Sequence, residues 1–581
     1  MHSHQRDFSS DHRVLFLCGI AVLIGSLSTI AAFVLLKLIY FFTNLFFFQT
    51  FSLVERSPAE NALGAVVIIV PIVGGLIAGL IARYGTDKVR GHGIPEALEA
   101  ILFKKSQMSP KVALLKPLTS GIVIGSGGPF GAEGPIIMTG GAIGSLIAQN
   151  FSVSAAERKT LLVAGATAGM TAVFGTPIAA VLLAVELLLF EWRPRSLIPV
   201  MIACAVAGFA RPLLMGAGPL FPMQTETVGW EAFVICIVAG LLSGMLSAAM
   251  SSALYKIEDW FGKLPVHWMW WPALGAVAVG VGGYFQPRAL GVGYDVISDL
   301  LHGHLGVSIA LSLLCVKAVI WVIALASGTS GGVLAPLLML GAGLGVVISS
   351  VVPGTDPTLW PLICMAAVLA GVLGAPLTSA IFALGLTGDF NALLPLLLAT
   401  GVSYGFTVLV MKRSIMTEKI ARRGLHIYRE YSVDPQERAF VGEVMTTDVK
   451  VVSSTAKIGE VTALYFGSDQ SHRGFPVLDE QGVLVGMLDR ATLAQGLRTH
   501  GEDTLLSTLF EGRETSVALS TETCQLVGRR MAVEHLERLP VVADEHSLRL
   551  VGIVSRSDLV KPSHQVFHEE HVRERLFKSE N

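Results

Sequence analysis

The chain has 581 residues, 52% of them apolar and only 15% charged, with 61 glycines and a formal charge of −2. With a mean hydropathy of +0.63, that excludes a soluble enzyme of this size and predicts an all-α polytopic membrane domain. The near-zero charge gives no ground for a nucleic-acid partner.

The polar start MHSHQRDFSSDHR leads into an apolar stretch that runs to about Phe48. It is too long for a signal-peptide core and has no A-x-A-like cleavage site, so it predicts a retained first span. Further runs able to cross a bilayer, which takes roughly 20 residues, recur as far as Met411. Next comes GHGIPEALEAIL from Gly91, then Lys116, then GAEGP (Gly131, Ala132, Glu133, Gly134, Pro135) set before IIMTGGAIGSLIA. A carboxylate among glycines at the mouth of an apolar helix is costly in a bilayer, and points to transport. Pro177 opens PIAAVLLAVELLLFEW, which carries Glu186 and Glu191. Arg193 and Arg195 follow, and by the positive-inside rule they suit a cytoplasmic loop.

The landmarks then return. GVGYDVISDLL repeats the glycines of GHGIP at Gly291 and Gly293, 200 residues on. GVLAPLLMLGAGLGVVIS places Pro336 201 residues after Pro135, and Pro376 of LGAPLTSAIFALGL follows Pro177 by 199. Three ordered matches at one spacing mark an internal duplication, with repeats at about 60–210 and 260–410. Helices broken by Gly and Pro inside the bilayer are tolerable only where they face a cavity or an ion. That is the layout of duplicated transporters, which favours an inverted repeat, although a parallel one would also satisfy the spacing. Each Gly-Pro opening presents free N–H groups and a positive helix end, suited to binding an anion without a full positive charge. Glu133 could occupy that anion position, leave when an anion competes, and take up a proton in doing so. The six cysteines lack metal-ligand or disulfide spacing and are expected to be core fillers; no metal site is expected.

The order GxGIP, G-x-EGP, GxxxP, followed by a soluble pair of repeats, resembles the CLC family of chloride channels and chloride/proton exchangers, from about Arg13 to Val560. The resemblance implies a homodimer with one anion path per subunit, two inverted halves, cytoplasmic termini and a cell (inner) membrane location. It makes Glu133 the gating glutamate and Lys116 a source of positive potential. The path is expected to be lined at His92, Gly93, Ile94, Gly131, Ala132, Gly134, Val333 and Leu334. Two departures concern selectivity. His92 stands where family members have a serine, and Met416 of S-I-M-T where they have a tyrosine, so both side-chain hydroxyls of the familiar chloride site are missing. An imidazole donates one hydrogen bond when neutral and two when protonated, which would suit a bicarbonate-like or otherwise oxygen-bearing anion, or make transport pH-dependent; bicarbonate, nitrate and fluoride stand as alternatives to chloride. A third departure concerns protons. Exchangers often carry two adjacent glutamates where this chain has Glu186 and Leu187, as channel members do; Glu191 lies five residues on.

The membrane domain, 1–412, gives way to a basic linker, 413–440, with Arg413, Lys419, Arg422 and Arg423 again on the expected cytoplasmic side. In 441–562, RGFPVLDEQGVLVGMLDRATLA and ERLPVVADEHSLRLVGIVSRSDLV repeat alternating strands bounded by turn residues, which predicts a soluble α/β module. These resemble tandem CBS domains, about 441–500 and 505–562, before a polar tail, 563–581. The resemblance allows an adenine nucleotide, with Ser555 and Asp558 of the second copy as its contacts; Thr492 replaces the acid in the first. No cofactor is required for transport.

These features bear on three function classes. The first is an anion transporter, either a passive channel or a proton-coupled exchanger. The second is a CBS-regulated divalent-cation transporter, which would need carboxylates converging in the membrane. The third is a membrane enzyme, for which the chain offers no nucleophile-base pair, metal ligands or phosphate loop.

Overall fold

The computed structural model describes residues 12–352, 356–425, 434–467, 470, 473–512 and 515–564. The linker residues 426–433 and the tail beyond 564 lie outside the described residues. The chain divides into two units near residue 430.

The membrane unit is helical and double. Its first half holds α1 (Arg13–Phe48), α2 (Ile69–Tyr84), α3 (Ile94–Phe103), α4 (Pro110–Gly125), α5 (Glu133–Gln149), α6 (Ala155–Phe174), α7 (Pro177–Leu183) and α8 (Pro194–Met215). The second half repeats them as α9 (Ala232–Gly262), α10 (Trp271–Phe285), α11 (Tyr294–Leu301), α12 (Val307–Ala326), α13 (Leu334–Ser349), α14 (Leu359–Leu373), α15 (Pro376–Thr387) and α16 (Leu393–Val410), and α17 (Ile415–Arg422) follows. In the first half α1 packs on α4, α5, α6 and α8; in the second, α9 packs on α12, α13, α14 and α16. The duplication is therefore wider than the expected 60–210 and 260–410, because it includes the long helices α1 and α9, whose plain apolar sequences carry no landmark.

Among the described residues, six helical segments are long and apolar enough to cross a membrane. Others stop short: α3 has 10 residues, α7 has 7 and α11 has 8. Several of these short helices place a proline in their first turn, where its missing N–H has no intrahelical partner to lose. Helices approach through glycine. A Cβ on Gly140 would stand 2.2 Å from the Gly165 carbonyl oxygen, and one on Gly341 2.5 Å from that of Cys364, so α5 on α6 and α13 on α14 use the same close contact.

The halves also exchange bonds reciprocally. Gly91 N–H reaches Gly328 O at 3.4 Å, while Gly291 N–H reaches Gly127 O at 3.0 Å. Gly131 and Gly332 form an antiparallel bridge. Exchange between equivalent residues defines a two-fold relation. Chain direction reverses across the bridge, so the helices beginning just after it, α5 and α13, point their first turns at a common centre from opposite sides.

The soluble unit contains two three-stranded sheets. Strands β1 (Val452–Ser453), β2 (Gly474–Leu478) and β3 (Leu484–Asp489) form one, and β4 (Ala518–Leu519), β5 (Arg538–Val542) and β6 (Leu550–Ser555) the other, each with a parallel and then an antiparallel pairing. The expected division of the copies is crossed at both ends. Val441 and Val444 join the core of the second sheet, and Thr446 pairs with Ile553, while Leu506, Leu509 and Phe510 complete the core of the first.

Candidate functional site

Glu133 is the first residue of α5 and is wholly buried. Its Oε1 accepts a hydrogen bond of 2.7 Å from the backbone N–H of Ala335, in the first turn of α13. The first N–H groups of a helix have no intrahelical partner. The carboxylate of one repeat thus satisfies the open helix start of the other. Two glycines make room for it: a Cβ on Gly131 or on Gly332 would lie 2.0 Å from Glu133 Oε2. Oε2 itself is buried and has no hydrogen-bond partner among the described residues. Ala132 caps α5 and Val333 caps α13, with Leu334 opening the latter. The bonded amide is that of Ala335, one residue beyond the expected pair.

On the other face of α5, the His92 carbonyl lies so close to Gly134 that a Cβ there would stand 1.8 Å from it. His92 is 3% exposed, and its Nδ1 has no partner among the described residues. It lines a cavity of about 450 Å³ together with Glu96, Met138, Lys419 and Arg423. Gly93 (φ 91°) and Ile94 begin α3. The Gly93 amide does not match the expectation of a free anion donor. Glu96 Oε2 accepts from it at 3.0 Å, as in a capping box, and Lys419 of α17 holds the other oxygen of Glu96 at 2.5 Å. Met416, also on α17, is fully buried, and α17 packs against α3.

Lys116 is wholly buried and donates to the carbonyls of Val89 and Gly91, each at 2.8 Å. It therefore ties down the loop that leads into His92. Sequence reasoning missed its counterpart. Lys317 is equally buried and donates to Ala289 and Gly291, each at 2.9 Å. Its position 201 residues after Lys116 was the available signal.

Neither proposed proton carrier is bonded to Glu133. Glu186 Oε2 accepts from the N–H (2.8 Å) and hydroxyl (2.6 Å) of Thr378, at the start of α15. Glu191 accepts from Ser196 at 2.6 Å. Asp389 accepts from Thr225. Glu133, Glu186 and Asp389 are thus bound at three separate places and do not converge.

In the soluble unit, a cleft of about 1050 Å³ is lined by Met487, Asp489, Thr492 and the stretch Glu534–Pro540. Ser555 and Asp558, expected at a nucleotide site, are not among its walls. Asp558 instead accepts from the N–H and hydroxyl of Ser555 and pairs with Lys561 at 2.7 Å. Burial works against its charge, but those bonds outweigh it and hold its pKa below the usual carboxylate range.

Comparison with known proteins shows the family. The family described as "Voltage gated chloride channel" matches residues 74–408, and CBS domains match 441–498 and 521–564. A putative chloride channel protein ClcB-like of Ralstonia nicotianae is 28% identical over 350 residues, covering 58% of this chain and 81% of its own length. The H(+)/Cl(-) exchange transporter ClcA of Salmonella paratyphi A is 24% identical over 413 residues, covering 68% and 86%. A slow cyanobacterial Cl-/H+ antiporter of known structure shares the fold, with a TM-score of 0.63 at 20% identity, over 71% of this chain and 99% of its own.

Proposed function

The chain belongs to the voltage-gated chloride channel family, with tandem CBS domains, and from that premise we propose that it carries a chloride-like inorganic anion across the membrane along a path closed by Glu133. The observation that carries this reading is the bond from Ala335 N–H to the Glu133 carboxylate. A carboxylate oxygen on a helix start occupies the position an anion would take there. A hydrogen bond to a charged group contributes about 1.5–3 kcal/mol net, small enough for an incoming anion to replace it. Protonation removes the charge that competes, so release of the carboxylate and uptake of a proton favour one another. Proton coupling is supported by the name of the ClcA relative; the absence of a second glutamate beside Glu186 favours a passive channel. The separation of Glu133, Glu186 and Asp389 weighs against a divalent-cation transporter, and nothing in the site calls for an enzyme.

We further propose a homodimer in the cell (inner) membrane with both termini cytoplasmic, as the basic groups at Arg193, Arg195 and α17 favour. His92 and Met416, at the usual hydroxyl positions, would set the preference among chloride, bicarbonate, nitrate and fluoride. The CBS pair would modulate transport, with an adenine nucleotide in the 1050 Å³ cleft. The test is flux in liposomes with chloride, nitrate, bicarbonate and fluoride, recording internal pH. Anion flux with opposed proton movement assigns an exchanger, and flux without it a channel. No anion flux overturns the reading.

A further inference from the structure

Tyr294 opens α11 directly after Gly293, at the place in the second repeat that Ile94 holds in the first. Its ring is set among other aromatic rings, with centroids 6.2 Å from Phe174 and 6.3 Å from Phe221. The phenol oxygen is buried and has no hydrogen-bond partner among the described residues. A buried hydroxyl without a partner loses its water and gains nothing in return.

α11 packs on α13, whose first turn holds the Glu133 carboxylate, and Oε2 of that carboxylate is also buried and without a partner among the described residues. Because both atoms lack a partner, they do not bond each other, although one donates and the other accepts. Lys317 stands at the same helix start: it holds the carbonyl of Gly291, and a Cβ on Gly293 would lie 3.9 Å from its Nζ.

The geometry points to Tyr294 as a hydroxyl ligand for the transported anion beside Glu133, a donor that serves in place of those missing at His92 and Met416. The inference rests on the anion-transport reading above. When Glu133 leaves the Ala335 amide, a monovalent inorganic anion would stand between the helix start and the phenol and accept from both. The phenol offers one O–H and no positive charge, so it can hold an anion without trapping it.

The test uses the full chain in detergent, with Glu133→Gln as the parent so that the site is open, and chloride titrated calorimetrically. Adding Tyr294→Phe, which keeps the ring and its packing, should weaken chloride binding about tenfold, the loss of one hydrogen bond to a charged ligand. Adding Tyr294→His, which retains a donor, should recover most of it. In the otherwise native chain, Tyr294→Phe should raise the KM for chloride in liposome flux. Equal chloride affinity with Tyr or Phe at 294, or an unchanged KM, overturns the inference while leaving the anion reading in place. Failure of Glu133→Gln itself to bind chloride overturns both.

Discussion

Gly131 and Gly332, equivalent residues of the two repeats, donate their amides to each other's carbonyls at 3.3 and 2.8 Å, and the Glu133 carboxylate rests against both. This contact makes one site out of two helix starts. With the carboxylate in this place neither position has room for a side chain, since a Cβ on either would meet it at 2.0 Å. At Gly332 it would also stand 2.6 Å from the Gly131 carbonyl oxygen.

Gly131→Ala should therefore open the path without touching the acid. The added methyl meets only Glu133 among its three nearest atoms, and the flexible side chain yields before the backbone does. Anion leak in liposomes should rise about tenfold, the equivalent of ~1.4 kcal/mol lost from the closed state. A leak equal to the parent's would show that the carboxylate position does not close the path.

Lys116→Met and Lys317→Met should be similarly damaging. Each strands two buried carbonyls, at about 1–3 kcal/mol apiece, and each loosens a loop that feeds a helix start. Thermal unfolding in detergent should fall for both. A normal Lys317→Met beside a damaged Lys116→Met would remove Lys317 from the site.

His92→Ser places the familiar hydroxyl back at one of the two departures. Relative permeability should shift toward chloride. If the anion preference coincides with the parent's, His92 only packs beside the path.

For the soluble unit, ATP titrated against the full chain should bind saturably, and Ala491→Trp, which fills the cleft, should abolish that binding. Ser555→Ala, outside the cleft, should leave it. The reverse pattern would place the nucleotide at the second copy's Ser555 and Asp558.

Much of this arrangement is legible in the sequence because it depends on backbone. Glycines and prolines declare helix starts, and the spacing of Pro135 and Pro336 declares the duplication. The place of Glu133 follows from one acid at such a start. What depends on side-chain partners across the fold is not legible. That Glu96 already holds the Gly93 amide requires α17, 323 residues away, to bring Lys419 against it. That Tyr294 is an unpartnered phenol requires the burial that Phe174 and Phe221 provide. Lys317 was readable from its offset alone, but a lone lysine in an apolar helix gives no sign of which carbonyls it holds. The soluble copies fall in sequence much as expected, with family matches at 441–498 and 521–564, but Val441 and Val444 pack in the core of the far sheet, which no local pattern records.

The most direct test of the whole account is anion flux and proton movement, recorded together in the same liposomes, for Glu133→Gln against the parent. The account predicts anion flux equal to or above the parent's, with any coupled proton movement abolished, because the amide start at Ala335 stays open and no carboxylate remains to compete or to carry a proton. Anion flux lost with the carboxylate, or proton-coupled flux of normal ratio without it, would contradict the assignment of Glu133 as the gate.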